Sequence, residues 1–183
     1  IEGIAFVEDR EIGLRQTRLK LAPGATGAAG GTVRYRGYEL PVVAGAVKRA
    51  AIIGEALHVP DAATAGVRAK AYLKLRARDA LAEASDRYAG MVGRDYTRLS
   101  IRDTRSRWGS CSSEGVLMYS WRLIMAPPPV LDYVAAHEVA HLVEMNHSDA
   151  FWAVVAHICP DYQNHRVWWR KNGDVLHRGN FGD

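Results

Sequence analysis

An α+β fold, a small sheet packed on a helical block, is predicted by three features of the sequence. Short alternating segments crowd its middle, a long helical periodicity precedes them, and a series of capped helical segments follows. The length, 183 residues, suffices for one well-packed core plus a small appendage. No apolar run approaches the ~18 residues that a membrane span needs, so a soluble chain is expected.

The elements follow in order. Arg15 to Leu21 and Thr32 to Leu40 have strand-like patterns, separated by the Gly/Ala-rich run from Pro23 to Gly31, which reads as a connector or hairpin loop. Val42 to Leu57 has the spacing of a short helix interrupted by Gly45 and Gly54. These stretches make up a β-rich N-terminal segment, 1–60, ahead of a second unit, 61–177. The second unit opens on a helix from about Ala62 or Thr64 to Met91. Asp61 caps it, Tyr72, Leu73, Ala77, Ala80, Leu81, Ala84 and Tyr88 form its core stripe, and Gly90 and Gly93 end it.

Next, Thr97, Leu99 and Ile101 alternate with Arg98, Ser100 and Arg102 as a half-buried strand. Trp108 to Ser112 and Val116 to Ile124 continue the β pattern around a turn at Ser113-Glu114-Gly115, giving a small mixed or antiparallel sheet. Pro127-Pro128-Pro129 then opens a helix that should end near Met145-Asn146. Ser148 and Asp161 are positioned as N-caps of two further helices, the second closing at Asn172-Gly173. Phe151, Trp152, Val155 and Ile158 form the inward face of one, and Val167, Trp168 and Trp169 belong to the other.

The net charge is +4, but its distribution says more. From Arg68 to Arg107 eleven Lys/Arg face five Asp/Glu, whereas from Val130 onward seven acids outnumber four bases. Such an asymmetry permits contact with nucleic acid, although a solvated Arg-rich face is the simpler reading. Two cysteines, Cys111 and Cys159, exclude a disulfide framework and fit a reduced, cytoplasmic setting.

The chemistry lies in His137-Glu138-Val139-Ala140-His141, an H-E-x-x-H pattern inside the expected post-proline helix. Positions four apart share one helix face, about 6 Å along the axis, so both imidazoles can reach one ion. Glu138 lies one step around the helix, where its carboxylate can act as general base without completing the coordination shell. Zinc suits imidazole donors. A third ligand is needed, and His147, just past the expected helix end, is favoured, with Asn146 supplying a left-handed reversal. Glu144, Asp149, His157 and His165 are the rivals. Tyr119, Tyr162, His165 and Arg122 are candidate oxyanion donors, and Cys111 is read first as a small buried hydrophobe.

Further motifs surround this site: Arg107-Trp108-Gly109-Ser110-Cys111-Ser112, Trp121-Arg122-Leu123-Ile124, Ala126-Pro127, Asp132-Tyr133-Val134, Asn146-His147-Ser148 and Phe151-Trp152. Together, over roughly Thr97 to Trp169, the sequence resembles the YgjP-like zinc metallopeptidases, a family similar to the SprT/Spartan and Wss-type proteases. The resemblance implies a minigluzincin-like core in which 61–177 is the metallopeptidase-like domain. It also implies zinc on His137, His141 and a downstream histidine matching His147, and protein or peptide substrates. The sequence departs from the family pattern at Ser120, where Asn is frequent. Three readings follow: a zinc metallopeptidase with Glu138 as general base, a DNA-associated SprT-like protease, or a non-enzymatic module stabilised by zinc. Retention of Glu138 favours an enzyme, because a structural zinc site needs no base.

Overall fold

The computed structural model describes residues 29–104, 106–177 and Phe181. The strand expected at Arg15 to Leu21 and most of the Gly/Ala-rich run lie outside the described residues.

Two strands, β1 (Thr32–Tyr35) and β2 (Tyr38–Ala44), form an antiparallel hairpin with Tyr35 opposite Tyr38. Arg36 and Gly37 both have positive φ, the condition for a two-residue turn that follows the strand twist. Their amides donate to the carbonyls of Ile124 and Met125, which ties the hairpin to the rest of the protein. Strands β3 (Ala51–Ile53) and β4 (Ala56–Val59) complete a four-stranded sheet in the order β1-β2-β4-β3, with β2 and β4 parallel. The helix expected over Val42 to Leu57 is therefore replaced by strands. Gly45, Ala46 and Gly54 all take positive φ, which breaks a helix, and the turns they make let Val42, Leu57 and Val59 bury on one sheet.

Helix α1 (Ala65–Val92) follows, and Thr64 donates its amide and hydroxyl to the Asp61 carboxylate at 2.8 and 2.7 Å. It stops at Gly93 in the left-handed conformation. Ala65, Ala69, Leu73, Ala77, Leu81, Ala84 and Tyr88 are buried along its inner face. The small residues in that stripe allow close approach of the elements packed on it.

A second sheet contains β5 (Arg98–Arg102), β6 (Gly109–Cys111) and β7 (Val116–Ser120) in the order β5-β7-β6. It is mixed, since β5 runs parallel and β6 antiparallel to β7. Trp121 to Ile124 does not extend β7 but forms a 3-10 turn, Trp121–Met125. All five of its residues are buried. A strand would send alternate side chains to opposite faces, and the turn avoids this by wrapping them into the core.

Helix α2 (Pro128–Ala140) starts on the prolines and ends five residues before Met145. His141 lies at its C-cap with helical φ and ψ, so its spacing from His137 is preserved. Helices α3 (Asp149–Ile158) and α4 (Tyr162–Asn172) close the helical block, with Ser148 capping α3 by accepting from the Phe151 amide. Asp161 precedes α4 without a side-chain cap bond. Phe151, Val155 and Ile158 are buried, Trp152 is partly so, and Val167 faces outward. The result is an α+β arrangement of two small sheets and a helical block. Among the described residues, no helix is long and apolar enough to cross a membrane.

Candidate active site

Three histidines converge where α2 ends. The turn after His141 carries the chain into α3 and brings His147 back, leaving its Nε2 3.0 Å from Nε2 of His137. The left-handed Asn146 expected at this reversal is absent: among described non-glycine residues only Arg36 and Ala46 have positive φ. The turn is made instead by bonds such as Ser148 N–H to the Asn146 carbonyl. One donor atom from each of His137, His141 and His147 lies within 4.8 Å of the others, a grouping that could hold a metal ion. Among the described residues neither Glu144, Asp149, His157 nor His165 joins this group.

Two observations test the fit of an ion. Nδ1 of His141 lies 3.0 Å from the Glu144 carbonyl oxygen; a carbonyl only accepts, so Nδ1 carries the proton and Nε2 keeps its lone pair. His137 is held neutral, its pKa pushed down to about 3 by burial first and then by His141, His147 and Arg166. His141 is lowered too, chiefly by burial. Neutral imidazoles with free ring nitrogens are the donors that a borderline-soft divalent ion takes.

Phe151, fully buried, supports the group from α3. Its ring stacks on His141 at 4.5 Å and meets His137 and His147 edgewise at 4.9 and 4.8 Å. Trp152 adds a second wall 5.8 Å from His137 and 6.0 Å from His147. These aromatic contacts restrict the imidazole rings before any ligand arrives.

Glu138 is 7% exposed, and burial pushes its carboxyl up to about 8. The backbone of β6 lies directly on it. A Cβ at Gly109 would sit 2.5 Å from Oε1 and 2.6 Å from Cγ of Glu138, so no other residue fits here without movement. Nothing in the sequence around Gly109 marks Glu138 as its partner. In this sheet β7 is central and already paired on both sides, while β6 is at the edge.

The other candidates separate. Tyr119 is buried and shares a 3.0 Å hydrogen bond with Ser85, and Arg122 is buried against Asp103. Neither reaches the histidines. Tyr162 stacks on Trp152 at 5.5 Å. Cys111 is half-buried and its thiol is pushed up to about 11, by burial and then by Glu138, which leaves it protonated and inert at neutral pH.

A family model described as YgjP-like, metallopeptidase domain, matches residues 4–172. The chain belongs to the YgjP-like metallopeptidase family. Among solved structures, that of the metallopeptidase zymogen abylysin from Pyrococcus abyssi is similar at 22% identity and a TM-score of 0.43, covering 57% of this chain and 98% of that one. No curated protein matches.

In this YgjP-like chain the basic excess over Arg68 to Arg107 is partly neutralised within the fold. Lys70 pairs with Asp103, Arg76 with Asp79 and Arg87 with Asp132. Asp79 and Asp103 are already among the five acids of that stretch, so only the Arg87–Asp132 pair draws on a carboxylate from outside it.

Proposed function

We propose that the protein is a zinc-dependent metallopeptidase, a minigluzincin-like hydrolase, in which His137, His141 and His147 hold the ion and Glu138 is the general base. The observation that carries this reading is the juxtaposition of three converging imidazole donors with one buried carboxyl group against an edge strand. A zinc ion bound there supplies Lewis acidity, lowering the pKa of water toward ~7 and polarising a carbonyl.

The chain's own groups do the rest. Glu138 takes a proton from the attacking water and delivers it to the departing amine. A carboxyl pushed up to about 8 by burial is a better proton acceptor than an exposed one, and the positive charge of an ion would bring it back toward ionisation at neutral pH. His141 is oriented through its Nδ1 by the Glu144 carbonyl, and the rings of Phe151 and Trp152 shield His141 and His137 from water. The free edge of β6 offers backbone groups to an extended peptide, with Gly109 allowing the strand to approach the catalytic carboxyl.

A purely structural zinc site accounts less well for these features, because it has no use for a buried, proton-accepting carboxyl. Two free cysteines agree with a reducing, cytoplasmic setting.

Glu138→Gln tests the reading. The variant should bind zinc as the wild type does while its cleavage of denatured protein falls about 10²–10⁴-fold, the usual contribution of a general base. Undiminished cleavage would remove Glu138 from the mechanism.

A further inference from the structure

Helix α4 carries a cation that nothing in the proposed mechanism uses. The guanidinium carbon of Arg166 lies 4.3 Å from the centre of the Trp152 ring, the same ring that walls the histidines. One turn earlier on α4, Tyr162 stacks on that ring as well. Arg166 is therefore held at the rim of the centre by aromatic contact. No described carboxylate pairs with it: the ion pairs among the described residues involve Arg34, Lys70, Arg76, Arg87 and Arg122.

An unpaired guanidinium beside a centre that takes a divalent ion is electrostatically unfavourable. The two repel, and the carboxyl of Glu138 is buried on the β6 side. The imbalance is relieved when an arriving ligand brings negative charge. The planar fork of Arg suits a carboxylate, and stacking on Trp152 pre-orders it so that little side-chain freedom is lost on binding. Carboxylates are also the anions that peptides carry.

We propose that Arg166 is a specificity-determining residue that binds a carboxylate of the substrate, either the free C-terminus of a short peptide or an acidic side chain close to the scissile bond. The assignment rests on the peptidase reading for its substrate class. It does not rest on the identity of the base.

Equilibrium binding to the metal-free protein tests it, with four probes: acetyl-trialanine as the free acid and as the amide, and acetyl-Ala-Glu-Ala-amide against acetyl-Ala-Gln-Ala-amide. At low salt at least one carboxylate probe should bind about tenfold tighter than its neutral twin, the scale of a charge-assisted hydrogen bond. Arg166→Met should erase that preference while leaving the neutral probe's affinity unchanged, and Arg166→Lys should keep part of it. A preference for the free acid over the amide identifies a C-terminus; a preference for Glu over Gln identifies a side chain. Equal binding within each pair, no binding of any probe, or a preference that survives Arg166→Met overturns the proposal. Glu138→Gln separates it from the mechanism, since that variant should retain the carboxylate preference whether or not cleavage is lost.

Discussion

The four-stranded sheet and the helical block that carries the histidines are built on opposite terms. In the sheet, Val33, Leu40, Val42, Leu57 and Val59 are buried and ionisable groups are kept toward the outside, apart from Arg34 paired with Glu39. In the helical block, Glu138, His137 and His141 are partly or wholly withdrawn from water, and burial pushes the pKa of each toward its neutral form. One region gains stability from burial; the other spends some of it. The difference locates function where the rule that ionisable groups stay wet is broken.

Gly109→Ala is the substitution expected to break this contrast most. The new methyl would overlap the Glu138 carboxyl, so peptide cleavage should fall by about two orders of magnitude, the loss that accompanies a small misplacement of a reacting group. Zinc content should be kept, and stability should fall by about 1–3 kcal/mol from overpacking. A variant that cleaves normally would show that β6 and Glu138 are not coupled.

Leu57→Ala probes the other region. Leu57 is 1% exposed in the sheet, and its truncation should cost about 2–5 kcal/mol in chemical denaturation. Cleavage per folded molecule should not change, because no sheet residue touches the histidines. Lost zinc binding in the folded variant would mean the two regions are less separate than their packing suggests.

The pH dependence of the metal-free protein sharpens the same comparison. Folded Glu138 keeps its proton up to about pH 8, whereas the unfolded chain releases it near 4.5. Between these values the folded state binds more protons, so this group's contribution falls as pH rises. His137 acts in the opposite sense: below about 6.5 the unfolded chain gains a proton that the folded protein declines until about 3, and His141 shifts the same way. Between pH 4.5 and 6.5 the Glu138 and His137 contributions oppose and nearly cancel, leaving His141 to tilt stability upward with pH, and above 6.5 stability of the metal-free protein should fall by about 2 kcal/mol toward pH 8 at ~1.4 kcal/mol per unit. Denaturant titrations from pH 4 to 9 would show it, and Glu138→Gln should flatten the alkaline side. An unchanged slope in that variant would assign the fall to another group.

The same division governs how far the sequence could be read. The helical block was legible because its information is local. Capping at Ser148, the prolines before α2 and the spacing of His137, His141 and His147 all act within a few residues of one another. The sheet was harder. Gly45, Ala46 and Gly54 turn the chain through positive φ, and Val42 and Leu57 pair only after the chain has doubled back, so a helical spacing was a misleading guide there. At the site, what stayed hidden was also non-local. Gly109 meets Glu138 from another element, and Arg166 stacks on Trp152, whose ring also neighbours His137 and His147. An arginine on an outer helix has no sequence pattern that marks it as facing an active centre.

The central claim is that three histidines and no cysteine hold one zinc ion beside Glu138. X-ray absorption spectroscopy on the zinc-loaded protein tests it most directly. The account predicts one zinc per chain with three imidazole nitrogens at about 2.0–2.1 Å, lost on His141→Ala and kept on Glu138→Gln. A sulfur ligand at ~2.3 Å, or zinc bound equally well without His141, would contradict it.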